Sequence, residues 1–287
     1  MTLTNINFPT VRIPELLYHY TSIEAFESIL ANQSVWLSDL AKMNDSMERR
    51  WVSKLFKEVW LDCLESMRAI IDADAYFYDF EIDKIPVFAL CLSAAGDLLS
   101  QWRAYASDGQ GVAIGFRPHS LGFPVKTRFI DEYMEDESMV MTKCMYNRRK
   151  QTTLMRDFIK YFESALAICR DGSSLHAYEG TMDTARWCLR KMSFVFKHPG
   201  FSEEREWRAI FQPLTVKSDF KRLGPERFRF REGQRIAYHE CRLLGEETIG
   251  EIVIGPKSRL TEVDAKRLVL SQNFMVSSIR RSTIPYR

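Results

Sequence analysis

The sequence predicts an α+β fold, a mixed central sheet with helices packed around it and a helical insert, and three observations carry that expectation. Apolar runs of strand length are spread along the chain, near residues 17, 35, 88, 112, 208, 228, 236 and 252, with helical segments between them. Trp51, Leu55, Val59, Cys63 and Met67 recur every four residues, the spacing of one buried helix face. Leu154–Arg170 and Thr184–Phe196 read as two amphipathic helices that end at His198-Pro-Gly200, which places an insert at about residues 150–198.

Taken in order, Leu16–Tyr20 is an aromatic and apolar run suited to a buried strand, and Thr21 or Ser22 then caps a helix over Glu24–Leu30. Val35–Ser38 is the next strand, and the long helix runs from about Ser46 to Ile71. Val87–Ser93 and Gly111–Phe116 are strands separated by a helical Asp97–Ala106. After the insert the chain turns to strands at Trp207–Phe211, Arg227–Arg231, Arg235–Tyr238 and Ile249–Ile254, with Gly233 turning a hairpin at Arg231-Glu-Gly-Gln234. Thr261–Ser271 is a last helix and Val276–Arg280 a last strand.

With 287 residues, 46% of them hydrophobic, the chain is near the upper size for one continuous core. No polar low-complexity stretch divides it, so the expectation is an extension over 1–15 and a single domain over 16–287. Forty basic residues against 38 acidic ones give no global field that recruits nucleic acid or an anionic membrane. No apolar run reaches the roughly twenty residues that cross a bilayer, and Met1–Thr10 lacks the character of a signal peptide. A cytoplasmic protein without membrane contact is expected. Six cysteines without a CxxC pair read as reduced thiols, and the histidines lack ligand spacing, so no metal is expected.

Five segments carry groups able to do chemistry. His19 stands at a strand end beside Thr21 and Ser22 and a helix amino terminus, a set able to meet an anion or a ribose, or simply a packed histidine next to a cap. Glu204, Glu206 and Arg208 alternate, which on a strand puts all three on one face, with an ion pair as the structural alternative. Asn44, Asp45 and Glu48 lie at a helix entrance, where they cap it or face a cleft. Trp102 and Tyr105 are three apart on a helix, either as core or as a stacking wall. Arg227, Arg229 and Arg231 share one face of a strand whose other face, Phe228 and Phe230, is expected to meet the core. Such a stripe binds phosphates or protects an edge strand from aggregation.

The strand, His-x-Thr-Ser and helix arrangement at His19, Thr21 and Ser22 resembles the entry motif of the ADP-ribosyltransferase superfamily, which includes RNA phosphotransferases and DNA-modifying toxins. The resemblance implies an ADP-ribosyltransferase-like fold and NAD as co-substrate, its nicotinamide ribose held by His19 and Thr21, with Tyr20 and Ser22 as further cofactor contacts. It further implies Glu206 as catalytic carboxylate, Glu204 as a substrate-orienting one beside Arg208, Tyr105 as the middle tyrosine, and Trp102 as cover for nicotinamide. A broader set, Tyr18-His-Tyr, Asn44-Asp45-x-x-Glu48, Ser100-Gln-Trp102-x-x-Tyr105, Gly111–Phe116, Glu204-x-Glu206-Trp-Arg208, Ile252–Pro256 and Pro285-Tyr-Arg287, resembles a bacterial family known as domain of unknown function 2971. Together these point to a transferase of bacterial defence or toxin type, acting on nucleic acid or protein. Two alternatives stay open: a non-catalytic nucleotide or nucleic-acid binding module, and a nuclease with magnesium held by Asp45, Glu48, Glu204 and Glu206. The acceptor and the oligomeric state are left undetermined.

Overall fold

The computed structural model describes residues 10–42, 47–63, 86–123, 126–128, 139–170, 175–213 and 223–286. The chain opens with β1 (Thr10–Arg12), β2 (Leu17–Thr21), α1 (Ile23–Asn32) and β3 (Ser34–Asp39). Next come α2 (Met47–Cys63), β4 (Phe88–Ser93), α3 (Leu99–Tyr105), β5 (Val112–Phe116), β6 (Lys126–Arg128) and β7 (Val140–Lys143). The insert supplies α4 (Arg148–Arg170) and α5 (Leu175–Val195), and β8 (Glu206–Phe211) follows it. β9 (Arg227–Arg231), β10 (Gln234–Arg242), β11 (Ile249–Ile254), α6 (Glu262–Ser271) and β12 (Ser278–Arg281) complete the order.

The expected mixed sheet is present and mostly antiparallel. Among the described residues ten strands join it, with only β11 and β12 parallel to each other, and the path runs β12-β11-β5-β2-β4-β3-β10-β9. β8 adds to β4, and β7 to β8. Part of the expected extension is also built in: β1 pairs with β6 in a separate two-stranded sheet, and Ile13 is buried in the main core.

Sequence chemistry accounts for several element ends. Ser22 caps α1 by accepting from the Ala25 amide at 3.2 Å, and Thr261 caps α6 by accepting from the Asp264 amide at 3.1 Å. The β9–β10 hairpin turns on two left-handed residues, Glu232 at φ 52° and Gly233 at φ 78°, as a two-residue hairpin loop needs.

Cross-strand register assigns each side chain to a face, because directly opposed residues project the same way. One face carries Leu17, Leu90, Leu92, Ile114, Trp207 and Ile252, which meet α1 and α6 in the larger core. The opposite face carries Ala89 and Ile210, which meet α2, α4 and α5 in a second core that includes Phe56, Phe158 and Leu189. A third, small cluster on that same face holds Trp102 of α3 against Tyr20, Ala113 and Val253. The insert is thus a helical layer on the sheet.

β4 is the pivot. Its whole length pairs with β8 on one edge, whereas the other edge is shared: β2 reaches only Ser93, through Tyr18, and β3 reaches only Phe88 and Ala89. β2 and β3 diverge between those points. The edge of Leu90–Leu92 faces a split in the sheet rather than a strand.

The expected packing of Phe228 and Phe230 against a core is corrected here. They are 46% and 77% exposed, because β9 is the last strand of its path and no described core covers that face of it. The Arg235 guanidinium instead lies over the Phe228 ring at 3.6 Å.

Candidate active site in the split of the sheet

The split opens into a cavity of about 570 Å³ lined by residues of both faces. His19, Thr21, Leu90 and Leu92 reach it from the α1 side, with Ala25 and Ile29 of that helix. Tyr105, Lys197, Glu204, Glu206 and Arg208 reach it from the other side, and Ser38, Arg229 and Arg231 extend that wall. His19 and Glu206 lie on opposite faces by register, yet both line the cavity because it passes through the gap between β2 and β3.

β2 is held from both sides of His19. Tyr18 lies flat against Gly96 and Gly115, where an added Cβ would sit 2.4 and 2.9 Å from its ring, and its hydroxyl donates to Glu251 at 2.7 Å. The Tyr20 hydroxyl donates to the Ala95 carbonyl at 2.8 Å and accepts from the Leu98 amide at 3.0 Å. Its ring meets Trp102 edge-on at 4.8 Å. Between these anchors, His19 Nδ1 lies 3.3 Å from the Cys91 carbonyl at the split. A carbonyl only accepts, so Nδ1 carries the proton and Nε2 keeps its lone pair. Burial pushes the imidazole pKa down, which favours that neutral form.

On the other side, α5 ends and its continuation delivers Lys197. A six-residue 3-10 turn over Pro199–Glu204 follows, closed by Arg205 at φ 47°. The Ser93 hydroxyl donates to the Glu204 carbonyl at 2.8 Å, tying this turn to the end of β4. Glu204 therefore does not stand on the strand with Glu206 and Arg208, as strict alternation predicts. The turn folds it back over them instead.

The Lys197 ammonium sits between the two carboxylates, 2.5 Å from Glu204 Oε2 and 2.7 Å from Glu206 Oε2. Arg208 Nε donates to Glu206 Oε1 at 2.8 Å, its Nη2 donates to Oε2 at 3.1 Å, and its Nη1 donates to the Phe194 carbonyl at 3.0 Å. Burial alone would raise the Glu206 pKa. The charges of Arg208 and Lys197 overcome it and hold the carboxyl well below the usual range. The Tyr105 hydroxyl donates to Glu204 Oε1 at 3.4 Å, and burial next to that carboxylate raises its pKa.

Two expected ligand contacts are corrected. Trp102 is fully buried and away from the cavity, its indole N–H bonded to Asp97 at 2.7 Å, whereas Gln101 and Tyr105 of α3 face the opening. Positions three apart on a helix point about 60° apart, enough to put one ring in the core and the other in the cleft. Ser22 is committed to capping α1 and does not line the cavity. Asn44 and Asp45 fall outside the described residues, and Glu48 lies on α2.

Lys197 escaped sequence reasoning. Its signal was its place at the end of the apolar run Phe194-Val-Phe196, just before His198-Pro-Gly200 turns the chain back toward Glu204. Trp36 and Ser38, at alternate positions of β3, were read as strand alone although both line the cleft.

A family model described as "Protein of unknown function (DUF2971)" matches residues 101–209, a stretch from α3 to β8 that includes Tyr105, Lys197, Glu204, Glu206 and Arg208. That match supports the resemblance to this family for that part of the chain. No curated protein and no solved structure matches the chain. No described helix is long and apolar enough to cross a membrane.

Proposed function

We propose that the cavity binds NAD and breaks its nicotinamide–ribose bond, in the manner of an ADP-ribosyltransferase. The observation that carries this reading is convergence: His19 and Thr21 of β2, Tyr105 of α3, and Glu204 and Glu206 around the start of β8, from three separate stretches of chain, line one cleft. A cavity of about 570 Å³ falls within the roughly 300–1,000 Å³ of small-molecule and cofactor sites.

In this reading His19 Nε2 accepts a hydrogen bond from a ribose hydroxyl, and Tyr105 borders the nicotinamide ring. As the C–N bond breaks, nicotinamide leaves with the bonding pair and positive charge gathers at the ribose carbon. The ionised Glu206 stabilises that charge from a preorganised position. An acceptor oxygen or nitrogen then bonds the carbon and loses its proton, with Glu204 orienting the acceptor. Nucleic acid and protein both offer such acceptors, and a bacterial defence or toxin role is the setting this chemistry fits.

The test is nicotinamide release from NAD, measured chromatographically at a temperature where parent and variants are folded. The parent releases nicotinamide, and Glu206→Gln slows release by roughly a hundredfold to a thousandfold. A parent that neither releases nicotinamide nor binds NAD in calorimetry removes this reading.

One observation favours a second reading, a non-catalytic nucleotide-binding module: both Glu206 oxygens are already held by cations. In that case NAD binds without turnover. The magnesium nuclease is disfavoured by Lys197, whose ammonium occupies the space between Glu204 and Glu206. Among the described residues no group of three or more His, Cys, Asp or Glu side chains is placed to hold a metal ion.

A further inference from the structure

Arg229 and Arg231 of β9 differ from Lys197 and Arg208, the ion-paired cations at the β8 end of the cavity. Arg227, Arg229 and Arg231 share the face that carries Ser38 and Tyr238, but only Arg229 and Arg231 line the cleft. Arg227 points outward and pairs with Glu240 at 3.1 Å. The Arg229 guanidinium is half-buried and, among the described residues, has no carboxylate partner. Its one hydrogen bond runs from Nη2 to the Ser38 hydroxyl at 3.0 Å, and its buried Nε has no acceptor. It lies over the Trp36 ring at 5.0 Å, and Tyr238 packs against Trp36 at 4.3 Å, so the guanidinium is held on an aromatic stack. Among the described residues Arg231 is paired only with the exposed Glu232, at 3.7 Å.

A guanidinium withdrawn from water without a counter-ion is costly. Burial and the neighbouring Arg231 charge lower its pKa, but an arginine stays protonated in a protein. The relief open to this group is an anion arriving through the cavity. Two guanidiniums two residues apart on one strand face stand about 7 Å apart along the chain. Each offers a planar fork that matches phosphate oxygens.

We infer that Arg229 and Arg231, with Ser38 and the Trp36 stack that holds Arg229, form a diphosphate-binding clamp at the β9 end of the cavity, for a diphosphate that is free or carried on a nucleoside. The clamp concerns the same cavity as the NAD reading but does not rest on catalysis.

The test is calorimetry of the whole chain at low salt with ADP, pyrophosphate and adenosine as probes. ADP binds more tightly than adenosine by about tenfold or more, as loss of charge-assisted bonds requires. Arg229→Gln erases that preference and flattens its salt dependence, Arg231→Gln reduces it, and Arg227→Gln leaves it intact. Should Arg229→Gln melt well below the parent, Arg231→Gln and Arg229→Lys, which keeps the charge but loses the fork, carry the test. Pyrophosphate binding as tightly as ADP identifies the free anion as sufficient, and weaker pyrophosphate binding identifies the nucleoside as part of the ligand. Both support the clamp. Equal affinities for ADP and adenosine, or ADP binding unchanged in Arg229→Gln and Arg231→Gln, overturn it. Nicotinamide release on the same variants separates the two readings. ADP binding through Arg229 without any release keeps the clamp and removes the transferase, and release with no preference for ADP does the reverse.

Discussion

The two ends of the cavity solve the problem of buried charge in opposite ways. At the β8 end, Lys197, Glu204, Glu206 and Arg208 neutralise one another within hydrogen-bond distance. At the β9 end, Arg229 is half-buried with a hydroxyl and an aromatic ring as its only described partners. The closed network is neutralised without any ligand, which in the proposed reading suits a preorganised wall that meets charge developing in a reaction. The open arginine is satisfied only when something negative is bound. In the proposed reading one end acts on the developing charge, and the other holds the diphosphate.

The comparison breaks first at Arg208. Replacing it by methionine strands Glu206 in the core with Lys197 as its main counter-charge and frees the Phe194 carbonyl. Breaking a buried pair from one side costs about 3–5 kcal/mol, read as a fall in melting temperature of roughly ten degrees. Glu206→Leu combined with Arg208→Met should cost less than the sum of the single changes, since an apolar pair leaves no uncompensated charge. Strict additivity would show that the network is solvated and would erase the contrast with Arg229.

On the far face, His19 is a buried titratable group of the same cavity. Its folded pKa is depressed by burial, so the unfolded chain binds a proton that the folded chain resists. Its contribution to stability is present above the unfolded value of about 6.5 and is lost as pH falls below it. Between about pH 7 and pH 5.5 the parent should lose stability that His19→Gln does not. Glu206 acts lower on the scale: its depressed pKa contributes stability above about pH 4.3 that is lost as pH falls through the folded value. Chemical denaturation at a series of pH values reads both, and parallel profiles for parent and His19→Gln would show that the imidazole is solvated.

Local rules made much of this legible. A Ser before an apolar periodic run capped α1, a Glu-Gly pair turned the hairpin, and runs such as Val112–Phe116 became strands because their branched and aromatic side chains fill a sheet buried on both faces. What escaped was non-local. β7 is four residues long, with no periodicity that marks it, and forms because β8 offers an edge. Glu204 was read as a strand residue, but the left-handed Arg205 ends a turn that folds it back. The meeting of His19 and Glu206 across opposite faces depends on a split that β4 alone reveals, through its sparse pairing with β2 and β3, both far earlier in the chain. Strand patterning also assigned Phe228 and Phe230 to a core, since alternation gives two faces but not which one is covered.

A gentler comparison lies within β9. Arg227 and Arg229 share a face, but Arg227 is about half exposed and already paired with Glu240. An exposed pair contributes about 0–1 kcal/mol, so Arg227→Gln should barely move the melting temperature, whereas Arg229→Gln relieves an uncompensated cation and should be neutral or stabilising in the absence of ligand. A larger loss at Arg229 than at Arg227, with no anion present, would mean that the guanidinium is structural and that the β9 end is not poised for a ligand.

The smallest effect is expected on the reverse of that strand. Phe230 is 77% exposed and takes part in no described core cluster, so Phe230→Ser removes little area that folding hides, and surface changes of this kind stay within about 0.5 kcal/mol. β9 is then held by its five-residue pairing with β10. The check is denaturation at two protein concentrations a hundredfold apart. An unchanged midpoint at both shows that the strand is stabilised without the Phe230 ring. A loss well above 0.5 kcal/mol would show that Phe230 is covered, and a loss that appears only at high concentration would identify a second molecule as the cover, making the β9 end an interface as well as a wall.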